Sequence, residues 1–367
     1  MDFLDTPLSV AIAILGISFL VIVHESGHYL AARAFGMRVL KYSIGLGPAL
    51  WKYKPKDSPT TYQVCALPLL AYVQIDGMNP VEPIDPDDDE AYANKGVFAR
   101  IVTIFAGPLA NYMAAALIAF GLHLVGGWPQ FHTQTEVWFP VKGSAAFEAQ
   151  PVDAEAAGDT KGIRAGDRIV AVGGVEVEEA SELIAEINRH PDEATTFVIE
   201  RGGERLEYTA TPRADEDGRV LIGIHIAARR SYTYHTTDLD GATRAAWVEP
   251  VTTTVLSLAS IAAMFERFDA DNVTSAVGMT KHLADSIEAG WQMYMWLLFQ
   301  LSVALGLFNL LPFPALDGGR LTFLGYEVIT RRRANEKVEA AIHTVGIIFL
   351  LGVLVLVMGK DIMQLTN

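Results

Sequence analysis

The chain has 367 residues, 51% of them hydrophobic and 19% charged, with a mean hydropathy of +0.26. Charge this sparse does not coat a soluble protein of that length, so part of the chain belongs in lipid. A net charge of −15 argues against a nucleic-acid binder and a basic membrane-surface protein, and the single cysteine, Cys65, excludes a disulfide-stapled scaffold.

In chain order, four stretches lack Asp, Glu, Lys and Arg for long enough to cross a hydrocarbon core, which takes about 20 residues. They are 6–23, 101–127, 290–316 and 341–359. The first has an acidic amino end and no small-residue cleavage site after it, so it reads as a retained helix rather than a signal peptide. A fifth stretch, 251–265, is shorter and rich in Thr and Ser, and is expected to lie at the interface as an amphipathic helix. Between the second and third spans, residues 128–289 hold 14 Lys/Arg against 27 Asp/Glu, nearly all the acidity of the chain. Arg33, Arg38, Lys41, Lys95 and Arg100 flank one loop, and Arg320, Arg331, Arg332, Arg333 and Lys337 lie in another. By the positive-inside rule those two loops face the cytoplasm, which puts both termini and the acidic block outside it. The expected organisation is a first membrane half (1–127), an extracytoplasmic region (128–289) and a second membrane half (290–367).

The first span runs into His24-Glu25-Ser26-Gly27-His28. On a helix, positions four apart share a face, so both imidazoles reach one ion while Glu25 lies beside them as a base for a metal-activated water. Zinc needs a third protein ligand. Asp317, in the run Asn309-Leu310-Leu311-Pro312-Phe313-Pro314-Ala315-Leu316-Asp317-Gly318-Gly319, is the carboxylate nearest an apolar stretch. Alone, it reads as an aspartate capping a turn. Topology favours the ligand: one full crossing separates the first and third spans, so both run inward and bring His24, His28 and Asp317 to similar depth.

HESGH, then Gly107-Pro108-Leu109-Ala110-Asn111 in the second span, then the Asn309–Gly319 run, together resemble the site-2 protease family of intramembrane zinc metalloproteases. The resemblance implies a polytopic α-helical membrane protein, one Zn2+ held by His24, His28 and Asp317, Glu25 as general base, and Asn309 and Pro312 as substrate-positioning groups. It also implies that the segment 67–75, with Tyr72 and Val73, is a membrane-associated β-hairpin whose edge strand receives an unwound substrate. Within the acidic block, Gly162 to Gly174 resembles the turns of a PDZ domain, spanning about 139–226 as an inserted α+β unit that binds peptide or filters substrates by size. The implied activity is cleavage of single-pass membrane proteins, such as anti-sigma factors or remnant signal peptides, in the bacterial inner membrane. The alternative is a membrane scaffold that binds peptides through the PDZ-like block and carries a structural metal. His123, His132, His190, His225, His235, His282 and His343 lack ligand spacing and read as packing or surface residues, with His343 at the interface.

Overall fold

The structure is a computed structural model describing residues 7–79, 85–133, 135–153, 161–215, 219–226, 230–267, 283, 286–287 and 289–366; His282 and the segment 273–279 lie outside them. The chain divides into two units, Met1–Trp128 with His235–Asn367, and Pro129–Tyr234.

The first unit begins with α1 (Pro7–Ala34). The helix does not stop at HESGH but continues for six residues, because Tyr29 to Ala34 contains no breaker; it ends where Gly36 turns left-handed and the Met37 amide caps Ala32 O at 2.8 Å. Two long strands follow, β1 (Val39–Tyr53) and β2 (Thr61–Ile75). Both bend, so the first half of β1 lies between the two halves of β2: Tyr42 faces Val73 on one side and Tyr62 on the other. That leaves 71–75 as an edge. Arg38 ties the sheet's base to the following loop through Asp76 and Asp88, each at 2.8 Å.

α2 (Val97–Gly121) is prolonged by a π turn, Leu122–Gly126. After the inserted unit, which carries α3 (Ala180–Ile187), come α4 (Leu239–Arg267), α5 (Trp291–Leu310), α6 (Asp317–Thr330) and α7 (Glu336–Thr366). Among the described residues, Leu8–Ala34, Val97–Gly126, Leu239–Ala262 and Trp291–Leu310 are long and apolar enough to cross a membrane, and the stretch 341–359 lies within α7. Leu15, Phe19, Leu117, Val255 and Ile348 are exposed on these helices, an arrangement suited to lipid. The protein is therefore a multi-pass membrane protein.

The expectation of a short interfacial helix at 251–265 is replaced by the 29-residue α4. Its amino end sits beside the π turn, where the Thr237 amide donates to His123 O at 2.7 Å, and Thr254 meets the Tyr112 hydroxyl at 2.9 Å. α4 thus runs back along α2. Trp291, opening α5, abuts Gly126 at the same end of the bundle, so the chain has returned there and α4 adds no net crossing. α1 and α5 run in parallel: the Tyr294 hydroxyl donates to Ile12 O near the start of both.

The inserted unit is built on an antiparallel sheet of five short strands, β3 (Gln150–Pro151), β4 (Arg168–Val172), β5 (Val175–Glu176), β6 (Thr195–Arg201) and β7 (Glu204–Ala210), in the order β3-β7-β6-β4-β5. Phe197, Ile199, Tyr208 and Ile169 alternate inward and pack with Leu183 and Ile187 of α3 (Ala180–Ile187). A capping box of Glu179 and Glu182 starts α3, and the backbone amides that Glu182 accepts hold its carboxyl below the usual range. Arg201 grips the buried Asp167 with two nitrogens, at 2.8 and 2.7 Å, and also donates to Tyr208 Oη.

Candidate metal centre

His24 and His28 lie on one face of α1, and their Nε2 atoms are 3.2 Å apart. Asp317, the first residue of α6, places Oδ2 3.2 Å from each. A tetrahedral zinc site with bonds of about 2.0–2.1 Å separates its donor atoms by roughly 3.3 Å, so the triangle already has the size the ion needs.

The groups behind the triangle fix its chemistry. His28 Nδ1 lies 2.8 Å from the Thr103 carbonyl, which only accepts, so the proton is on Nδ1 and Nε2 is a bare lone pair. His24 Nδ1 donates to Asn111 Oδ1 at 2.7 Å, and that amide's orientation is set by its own Nδ2 donating to Leu20 O at 3.2 Å. With both rings neutral, as a metal requires, two lone pairs and a carboxylate oxygen converge. Such a cluster repels itself until a cation sits among the three atoms, and it fits Zn2+ in number, type and spacing.

α2 supplies both supports because of its local sequence. At Gly107 a Cβ would collide with the His28 ring, so only glycine lets α2 approach. Asn111, one turn further, is fully buried and points at His24. The Asp317 side is held by a clamp: Arg100 of α2 pairs with Glu327 of α6 at 2.5 Å.

The triangle opens on a cavity of about 370 Å³ lined by Glu25, Tyr72, Val73, Asn309 and Arg320 along with the three donors. Glu25 Oε2 accepts the Val73 amide hydrogen at 3.0 Å, which places the carboxylate between the metal centre and the edge strand.

Comparison with known proteins settles the family, since residues 12–353 match Peptidase family M50. The chain belongs to peptidase family M50. It is 30% identical to the zinc metalloprotease Rip1 of Mycobacterium tuberculosis over 96% of this chain and 95% of that one. It is also 30% identical to a Rickettsia conorii protein whose name reads "Putative zinc metalloprotease", over 98% of this chain and 99% of that one. Among solved structures, the PDZ domain of an SdrC-like protein from Listeria monocytogenes matches 26% of this chain and 90% of its own length, at 17% identity and a TM-score of 0.21, too slight a likeness to say what the insert binds. This M50 member is a zinc-dependent hydrolase of peptide bonds in a multi-pass membrane protein.

Of the residues singled out in the sequence, His24, Glu25, His28, Asp317, Asn309, Tyr72 and Val73 meet at one cavity. Pro312 does not: it is exposed and absent from the cavity lining, and its local effect is to end α5 by forcing Leu311 into extended backbone, ψ 142°. Sequence reasoning missed the Thr103 carbonyl, which no side-chain pattern marks, and Arg320, which lies one turn beyond Asp317 and donates to Met78 O at 3.3 Å. Asn111 entered the sequence reading only as part of the Gly107–Asn111 resemblance; the signal that could have marked it is an amide in an apolar span, which needs a partner there.

Proposed function

We propose that this M50 protein is an intramembrane endopeptidase in which His24, His28 and Asp317 bind the zinc ion and Glu25 is the general base. The observation that carries the reading is the 3.2 Å triangle of Nε2, Nε2 and Oδ2, donated by two helices almost 300 residues apart. When bound, zinc acidifies a water and polarises a carbonyl. Glu25 takes the proton of the attacking water and passes it to the leaving amine. Asn309 offers a polar side chain at the cavity for orienting the peptide.

The substrate segment must be extended, because helical peptide bonds are shielded by their own hydrogen bonds. Among the described residues, no second strand pairs with the outer edge of 71–75, and Tyr72 and Val73, which line the cavity, would hold an unwound segment by β-addition. Docking of that segment takes the Val73 amide and releases Glu25 for proton transfer.

The distribution of basic residues supports an orientation with the insert and both termini extracytoplasmic, which puts cleavage close to the cytoplasmic face; the resemblance to the site-2 protease family implies the bacterial inner membrane and single-pass membrane proteins, such as anti-sigma factors or remnant signal peptides, as substrates. The test is a membrane-reconstituted reaction on a tethered single-pass substrate. Glu25→Gln is expected to lower cleavage by roughly 10²–10⁴-fold with zinc content unchanged. Persistent cleavage overturns the role of Glu25.

A further inference from the structure

The loop between α5 and α6 turns on a residue in an unfavourable conformation. Ala315 has φ +76°, the left-handed region that a side chain disfavours, and two residues later the chain delivers Asp317. Within the loop, the Phe313 amide donates to Leu311 O and the Leu316 amide to Phe313 O, but neither bond involves the Ala315 amide. That amide is held from outside. His343, on α7, accepts it at Nδ1 with a distance of 3.0 Å. An accepting Nδ1 places the ring proton on Nε2, which finds no partner among the described residues.

Two further contacts follow at helical spacing on the same face of α7. Gly346 lies so close to Pro314 that a Cβ there would overlap the proline ring, and Phe349 meets Phe313 with 5.7 Å between ring centroids. Residues 343, 346 and 349 therefore grip 315, 314 and 313 in turn. His343, expected from the sequence at the interface, also makes this specific backbone bond, and its ring packs on Phe323 of α6.

We propose that His343 is a positioning residue for the metal centre: the last helix holds the left-handed turn at Ala315 and so fixes the direction from which Asp317 reaches His24 and His28. The inference rests on Asp317 being a zinc ligand. Leucine at 343 fills the same space but leaves the Ala315 amide unpaired, so the turn relaxes toward ordinary backbone and the carboxylate swings out of the triangle. Asparagine at 343 offers Oδ1 in the place of Nδ1 and keeps the bond.

The experiment is chelator competition for zinc on the full-length, detergent-solubilised protein, with thermal unfolding recorded in parallel. His343→Leu is expected to weaken zinc binding about tenfold, the lower end for groups that orient a ligand, while His343→Asn stays close to wild type. Ala315→Gly, which relieves the left-handed strain, is expected to restore part of the affinity when combined with His343→Leu. Wild-type zinc affinity in His343→Leu overturns the proposal. So does equal loss in the Leu and Asn variants, with no rescue by Ala315→Gly and a matching fall in unfolding temperature, because that marks a packing role alone. Asp317→Ala is measured beside them: if it retains zinc, the ligand assignment fails, and if it loses zinc while His343→Leu does not, only the present inference fails.

Discussion

The two units of this chain use buried polar groups for opposite ends. In the insert, the buried Asp167 is matched by Arg201 at the end of a sheet strand: the carboxylate takes two guanidinium nitrogens and the Arg164 amide, and the guanidinium also reaches Gly162 O and Tyr208 Oη. Opposite charges and donors are matched. In the membrane unit the buried polar atoms are matched only from behind. His24 and His28 are satisfied at Nδ1, while their Nε2 atoms and the Asp317 carboxylate converge on one point and, with the rings neutral, turn lone pairs toward it. A balanced polar cluster is architecture; one with a surplus of lone pairs is a site for a cation.

That contrast is most sharply broken in the insert. Arg201→Met removes one partner of a buried pair and strands Asp167, which costs roughly 3–5 kcal/mol. The expected result is faster proteolytic nicking within 129–234 of the full chain with zinc content unchanged. Loss of zinc along with the insert would erase the distinction between the two clusters.

The converse change is Asn111→Ala. It leaves His24 without the acceptor that fixes its tautomer, and zinc affinity is expected to fall 10–100-fold, about 1.4–2.8 kcal/mol, with the insert's protease resistance intact. Gly107→Ala should act in the same direction by pressing a methyl group against the His28 ring, and metal analysis of the purified protein checks both. Unchanged zinc in either variant would show that the second helix only packs against the first.

How much of this was legible beforehand follows the same division. Polar residues in apolar spans are rare and costly, so HESGH and Asp317 stood out, and the direction of the two spans was enough to bring them together, whereas Asn111 entered only through the Gly107–Asn111 resemblance. The supports that are backbone groups carried no signal. The Thr103 carbonyl belongs to every residue type equally, and the Ala315 amide has a partner 28 positions away on another helix. The double pairing of β1 was hidden for a related reason: alternation along Tyr72 to Ile75 marks a strand but not its neighbours, and the bends of β1 and β2 depend on contacts between halves. For α4, a count of Thr and Ser understated the helix, because residues such as Thr243, Thr254 and Ser260 return their hydroxyls to carbonyls four positions back.

The smallest expected effect concerns the loop that carries the edge strand's base. Arg38 draws the Asp88 carboxyl below its ordinary value, and the carboxylates in turn raise the guanidinium, with Asp76 and Glu90 as further partners. A carboxyl whose folded value is depressed adds stability that is complete above its unfolded value and lost as pH falls through the folded one. Protection of the Arg38 and Asp76 amides, which bond Glu90 O and Arg38 O, is therefore expected to stay level from pH 7 down to about 4 and to decline below it, once intrinsic exchange rates are divided out. Asp88→Asn should abolish most of that acid-dependent decline. The pair is exposed and screened by salt, so zinc binding at pH 7 should be unaltered in this variant. A loss of protection already near pH 6 would assign the hold on this loop to a histidine rather than to the Arg38 cluster.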